Sequence, residues 1–274
     1  MAPKISFAAP LSITHIGTAT AIINIGGVNF LTDPVFSPAG TTWDLGIVTL
    51  KITSTPAMSL ANLPPIDAVL LSHEDHPDNL DELGRTTLDG RHVFTTVDGA
   101  KKLAPRPGVR ALKPWETLPL TIGARHFEIT GTPCQHLPGG EVTGFIISSP
   151  SFGNTDGKPN AIYFSGDTVY LPELVQMKER FHISVALLNI GKATAPLPTG
   201  PLVITMDGAQ AAKLAREIEA DAVVPMHFES WEHFAETREE LVQALESAEE
   251  GGVKDRVVWL EPGVETRLVE PGLV

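Results

Sequence analysis

The sequence predicts a layered α/β domain with sheets at its centre and helices outside, on three observations. Short apolar, β-branched runs recur along the 274 residues, bounded by Gly, Pro, Asn and Asp. Two later stretches carry helical spacing with capping signals. Each half of the chain has several strands followed by alternating helix and strand, a pattern that places helices over sheets.

Strands are predicted near 11–14, 19–25, 28–32, 67–72 and 92–96, with a short helix over Leu80–Arg85 before the last of these. Further strands are predicted near 126–131, 142–149, 161–165, 184–190, 222–226 and 256–260, with a short helix from Pro172 to Arg180. One long helix follows Asp207, whose Gln210 gives a capping-box-like start; Ala211, Leu214, Ala215 and Ile218 keep i, i+3, i+4, i+7 spacing. Another starts at Thr237 with Glu240 as box partner, an apolar stripe of Leu241, Ala244, Leu245 and Ala248, and Gly251 as C-terminal cap. The segments 54–65, 104–114 and 150–160 are rich in Pro, Gly and Asn and read as loops. No low-complexity linker divides the chain, so residues 1–274 are expected to form one domain.

Hydrophobic residues make up 42%, ample for a core, and charged residues only 19%. The net charge of −13 argues against a nucleic-acid footprint and disfavours anionic lipid. The single cysteine, Cys134, permits no intrachain disulfide and points to a reducing, cytoplasmic setting. The start, MAPKISFAAPLSITHIG, lacks the pattern of a signal peptide, and no apolar run reaches the roughly 18 residues needed to span a membrane.

The chemistry gathers where predicted strands end. After AVLLS come His73, Glu74, Asp75, His76, Asp78 and Asn79; TPCQH ends in His136; AIYFS leads to Gly166 and Asp167; AVVPM leads to His227. Ligand sites in α/β sheets gather at the carboxyl ends of strands. Imidazole nitrogen and carboxylate oxygen suit zinc, manganese or iron. His73 and His76, three apart, can share a face. Singly, each has a plainer reading: a strand-end His is usually a hydrogen-bonded structural residue, and Asp167 after Gly166 a turn residue. Asp75, Asp78 and Asp81 also suit a helix start. Four independent strand ends carrying such residues favour a catalytic metal centre, and one cysteine excludes a closed thiolate site.

On these residues the sequence resembles the metallo-β-lactamase-fold hydrolases. LSITHIGTATAIINIGGVNFLTDPVFSP (11–38) is similar to the opening hairpin of the branch with ascorbate-6-phosphate lactonases and N-acyl-phosphatidylethanolamine phospholipase D-type enzymes. LLSHEDHPDNLD resembles that family's HxHxDH loop, and GTPCQH, YFSGDT and VVPMHFESW its later metal motifs, in order. The resemblance implies a four-layer αβ/βα sandwich of two mixed β-sheets flanked by helices. It also implies one or two metal ions, usually Zn2+, with Mn2+ or Fe2+ as alternatives. His73, His76 and His136 would hold one; Asp78 and His227 would hold the other, with Asp167 bridging. The loop departs from the family by one extra residue, which leaves His73, Glu74 or Asp75 as candidates for the first ligand position. Asn79 replaces the motif's last His, and Thr18 stands where relatives often carry His.

The implied activity is attack of a metal-bound hydroxide on an ester, lactone or amide of a small molecule, with Asp78 orienting the nucleophile. A phosphodiesterase or phospholipase with the same site is the first alternative, a non-catalytic metal-binding member the second. Lys192, after LLNIG, is a candidate to bind a substrate carboxylate or phosphate. Asp33 is a candidate to hold a ligand imidazole from behind, or a turn residue before Pro34. His15 reads as a core residue and Cys134 as a small buried side chain rather than a nucleophile. His92, His126, His182 and His233 carry no spacing argument. Trp231 is better placed than Trp43 or Trp115 to wall a pocket, and Trp259 is expected in the core. The apolar segment 43–58 is expected to be a pocket lid or a contact in a homo-oligomer.

Overall fold

The computed structural model describes residues 3–46, 48–198, 200–247 and 253–270. The strands Leu11–Gly17 (β1), Thr20–Ile25 (β2) and Val28–Thr32 (β3) form an antiparallel meander, and Thr42–Asp44 (β4) and Thr49–Lys51 (β5) a separate hairpin. Ala68–Leu70 (β6) joins β3 in parallel. After Glu82–Arg85 (α1), the strand His92–Thr95 (β7), Val97–Leu103 (α2) and Val109–Ala111 (β8) extend that sheet in parallel. Thr117–Ile122 (β9), Arg125–Thr132 (β10), Gly144–Ser148 (β11), Asn154–Thr155 (β12) and Lys158–Phe164 (β13) make the antiparallel part of a second sheet. Met177–Arg180 (α3) leads to His182–Asn189 (β14), parallel to β13. Thr194–Leu197 (β15) and Gly200–Val203 (β16) form another hairpin. Gly208–Glu217 (α4), Ala222–Met226 (β17), Arg238–Glu246 (α5) and Glu265–Val269 (β18) complete the chain.

The sheet orders are β18-β1-β2-β3-β6-β7-β8 and β17-β14-β13-β11-β10-β9, with β12 on β13. Ile13, Ile23, Phe30 and Leu70 of the first sheet share one core with Ile129, Phe145, Phe164 and Leu187 of the second. The outer face of the second sheet packs Leu188 and Val223 under Leu214, Ala215, Leu241 and Leu245 of α4 and α5. That of the first packs Leu31, Val69 and Val93 under Leu88 and Leu103. These layers are the expected four-layer αβ/βα sandwich. Both capped helices form: Asp207 accepts from the Gln210 N–H, and Thr237 and Glu240 make a reciprocal capping box. Ser247 closes α5; the expected Ala248 and Gly251 lie outside the described residues.

Residues 256–260 do not form the expected strand. Lys254–Arg256 is a 3₁₀ turn, and the chain makes only a bridge to the second sheet, where the Val258 N–H donates to the Val223 carbonyl (2.8 Å). The chain then turns at Gly263 (φ 83°) and crosses to the first sheet, where β18 pairs with β1. Trp259 is accordingly only half-buried, edge-on to Phe228 at 5.7 Å. The expected helix over Leu80–Arg85 begins only at Glu82, because Asp81 is its N-cap. Pro172–Arg180 is a 3₁₀ turn followed by α3. The 104–114 segment contains β8, and 150–160 contains β12 and the start of β13. No described helix is long and apolar enough to cross a membrane.

Candidate metal centre

Four strand ends deliver the predicted donors. The segment after β6 begins Leu71–Ser72–His73, and its position is set from behind by Asp33, which follows β3 and is buried. Asp33 Oδ1 accepts from the Ser72 backbone N–H (2.6 Å), and Oδ2 accepts from Ser72 Oγ (2.7 Å) and Asn79 Nδ2 (3.1 Å). Having given its proton to Asp33, Ser72 Oγ accepts from His73 Nδ1–H at 2.9 Å. That chain fixes the tautomer of His73 and leaves its Nε2 lone pair facing inward, as outer carboxylates do for metal-bound histidines. His136 Nδ1–H likewise donates to the Ile204 carbonyl (2.7 Å), freeing Nε2. His76 Nδ1 lies 3.0 Å from His73 Nε2 and 3.2 Å from His136 Nε2. These separations are close to the edge of a tetrahedron with bonds of about 2.1 Å, roughly 3.4 Å. Burial and the neighbouring His76 and His136 imidazoles hold the His73 pKa well below its ordinary value, and burial also lowers that of His136. Both rings are therefore neutral, the form that binds a cation.

Asp78, Asp167 and His227 make a second trio. Gly166 (φ 56°) turns the chain out of β13 so that Asp167 points inward; a Cβ there would meet the Thr143 carbonyl oxygen at 2.7 Å and Ser72 Cβ at 2.8 Å. Asn189 Nδ2 donates to Asp167 Oδ1 (2.7 Å). His227 ends β17 with φ 61°, its N–H donating to the Thr18 carbonyl (3.0 Å). His227 Nε2 stands 3.5 Å from Asp78 Oδ2 and 3.4 Å from Asp167 Oδ2, yet neither approach is aligned as a hydrogen bond. Asp167 Oδ2 and both His227 ring nitrogens are buried without a hydrogen-bond partner. Orphaned buried donors and acceptors in one cluster are rare and need a reason; a divalent cation between them would supply it. Burial pushes His227 down, but the Asp167 and Asp78 charges overcome it and raise its pKa to about 9. Burial likewise works to raise Asp78, and the imidazoles of His227 and His233 overcome it, holding that carboxyl well below the usual range. Burial, with the Asp167 charge, lifts Asp33 to about 7. Three imidazoles on one side and two carboxylates with an imidazole on the other fit one or two transition-metal ions.

Glu74 and Asp75 are not brought in. Glu74 pairs with Arg85 and Lys102 (3.0 Å each), and Asp75 faces Lys102 at 3.8 Å. The extra loop residue is thus absorbed on the outer side, and of the three candidates it is His73 whose ring meets His76 and His136. Asn79 turns to Asp33. Half-buried Lys192 acts electrostatically on Glu236 and Glu240, and the cavity wall begins one residue later, at Ala193. His15 is buried with Nε2 3.0 Å from the Thr18 carbonyl, and His182 pairs with Asp221. Trp231 Nε1 donates to Thr18 Oγ1 (2.9 Å), and its ring lies 5.3 Å from that of Trp43. One neighbour escapes sequence reasoning: His233 Nε2 lies 3.2 Å from Asp78 Oδ2. The signal available for it was local, a second imidazole among the aromatic residues of HFESWEHF.

Cys134 Sγ donates to the Ser165 carbonyl (3.4 Å), and burial pushes its thiol pKa far up. In the native protein it should resist a thiol reagent at pH 8 and react fully in denaturant; rapid native labelling would show an activated thiol instead.

A cavity of about 160 Å³ opens over both trios. His76, Asp78, His136, Asp167 and His233 form its floor. Leu45, Val48 and Leu50 from the β4–β5 hairpin, and Pro196 and Leu197 from β15, form its walls with Leu137 and Ile204. Leu45, Val48 and Leu50 of the apolar segment 43–58 thus wall the cavity. A larger hollow of about 320 Å³, lined by Arg125, Glu265 and Arg267, shares no residue with this one.

The family model described as Beta-lactamase superfamily domain matches residues 28–228. A UPF0173 metal-dependent hydrolase of Methanopyrus kandleri is 27% identical over 265 residues, covering 92% of this chain and 98% of that protein. Among solved structures, an isothiocyanate hydrolase from Delia radicum gut bacteria aligns with a TM-score of 0.72 at 24% identity, over 93% of this chain and 98% of that one. Igni18, a metallo hydrolase of Ignicoccus hospitalis, aligns at 0.67 and 24%, over 94% and 98%. With the family matched across most of its length and the sandwich shared with these structures, the chain belongs to the beta-lactamase superfamily and has the metallo-β-lactamase fold.

Proposed function

We propose that the protein is a metal-dependent hydrolase cleaving an ester, lactone or amide bond in a small, uncharged substrate with an apolar group. The observation that carries this is the cavity: aliphatic walls stand directly over the two trios, and no Lys or Arg is among the described lining residues. Its size, below the roughly 300–1,000 Å³ of drug-sized sites, suits a compact molecule. A phosphodiester would bring a charge for which the described lining residues offer no Lys or Arg partner, Lys192 itself standing one residue outside the lining.

We assign His73, His76 and His136 to one cation and Asp78, Asp167 and His227 to a second, with zinc the first choice and manganese or iron the alternatives. A bound cation of this kind supplies Lewis acidity and lowers the pKa of water from about 15.7 towards 7. The chain does the rest. Asp78, ionised and facing the cavity, orients the attacking water by accepting a hydrogen bond from it. Asp167, steadied by Asn189, spans the two trios. The Asp33–Ser72 chain keeps His73 in one orientation, so the floor needs little rearrangement during reaction. The aliphatic walls exclude bulk water from the bond being cleaved. Residues 1–274 act as one domain in this reading, and the single cysteine suits a reducing compartment.

A panel of zinc-loaded assays tests this: p-nitrophenyl acetate and butyrate, a γ-lactone, an anilide, a phosphodiester, and an aryl isothiocyanate, the substrate class for which one structural neighbour is named. Two added methylenes, each worth about 0.8 kcal/mol on burial, should raise kcat/KM for butyrate over acetate by roughly tenfold. A preference for the phosphodiester would overturn the reading.

A further inference from the structure

We infer that His233 is a ligand of the cation held by Asp78, Asp167 and His227, an inference that rests on the metal reading above. Two imidazoles converge on one carboxylate oxygen: His227 Nε2 lies 3.5 Å and His233 Nε2 3.2 Å from Asp78 Oδ2. Both spacings match the edge of a coordination tetrahedron, about 3.4 Å for bonds of about 2.1 Å. His233 lies in the cavity floor, its side chain 14% exposed, and its Nδ1 is buried with no hydrogen-bond partner. The ring is held by aromatic contacts instead, 4.6 Å from Phe234 and 5.9 Å from Trp231. His233 meets the trio at Asp78 alone and lies outside the set of donors within 4.8 Å of one another, so coordination requires its side chain to move inward from the Phe234 and Trp231 rings.

The trio by itself offers three donors, and zinc takes four. Asn79, the nearest side chain along the loop, is committed elsewhere: its amide donates to Asp33, and it is fully buried. An imidazole is also the stronger zinc ligand of the two. His233 therefore restores by a long-range contact, 155 residues along the chain from Asp78, the donor that the loop beside Asp78 does not supply.

Metal stoichiometry tests this independently of turnover. Wild-type protein and His233→Ala are saturated with zinc, gel-filtered and analysed for bound metal, and zinc titrations give the affinity of each site. The wild type should retain two ions per chain, and the variant one, its second site weakened by roughly tenfold or more. Cobalt loading reads the ligand itself: the visible d–d bands of the second site should shift when an imidazole leaves. If His233→Ala does not fold, as judged by circular dichroism, His233→Gln preserves the volume without the ring nitrogen. Equal zinc content, affinity and cobalt spectra in wild type and variant would overturn the role of His233 and leave the metal reading standing. A wild-type protein that retains no metal would overturn the metal reading itself.

Discussion

Asp78→Ala should lower kcat/KM for the preferred ester by at least about three orders of magnitude, roughly 4 kcal/mol of transition-state stabilisation. Asp78 is the carboxylate on which His227 and His233 both lean, and it faces the cavity where a substrate bond must sit. Its loss removes a donor from the second trio and the group that orients water. It also leaves the buried His227 imidazole without one of the charges that raise its pKa. Asp78 lies in the loop after β6 rather than in a sheet, so far-ultraviolet circular dichroism should be unchanged. A variant retaining a tenth of wild-type activity would remove Asp78 from the mechanism.

Metal-free protein should lose thermal stability as pH rises from 6 to 9, and zinc should reverse that trend. His227 has a folded pKa of about 9 against 6.5 for a free imidazole, through the Asp167 and Asp78 charges acting against its burial. A raised imidazole pKa contributes stability that is fully present below pH 6.5 and is lost as pH climbs through 9; for this buried ring it is on the order of 3 kcal/mol. Asp33 acts in the same direction: with its pKa raised to about 7, the folded state resists its ionisation as pH rises from 3.8. Asp78, with a depressed pKa, costs stability only in strong acid. Zinc takes the place of the His227 proton, so its stabilising effect should grow with pH. Scanning calorimetry at pH 6, 7.5 and 8.5, with chelator or with zinc, reads both trends. A chelated protein whose Tm climbs across that window would show that the cluster does not carry these charges.

The donors were legible because chemistry and local structure coincide in them. His73, His136, Asp167 and His227 each lie just past an apolar strand, so a period-two pattern and its end point located them. The two long helices declared themselves through Asp207 and Thr237. His233 was invisible because its place depends on the turn after β17, where Ser230 has φ 86°, and on packing of Trp231 against Trp43. The fate of 256–260 was hidden for a related reason. Apolar residues there promised a strand, but whether a sheet edge receives them depends on a crossover to β1 that local sequence does not encode. Short edge strands such as β8 and β9, with mostly half-exposed faces, carry little apolar contrast to detect.

The walls of the cavity and its floor belong to different parts of the architecture. The floor grows mainly from the ends of the two large sheets, whereas β4–β5 and β15–β16 are small ribbons outside those sheets, the first fastened by the Glu232 N–H donating to the Lys51 carbonyl (3.2 Å). Side-chain changes at the wall positions Leu45, Val48, Leu50, Pro196 and Leu197 can therefore reshape what enters, provided that Trp43, which packs on Trp231 beside His233, is kept. Such a division lets one catalytic base be retuned to new substrates at little risk to folding, and it makes the two ribbons the natural targets for redesigning selectivity.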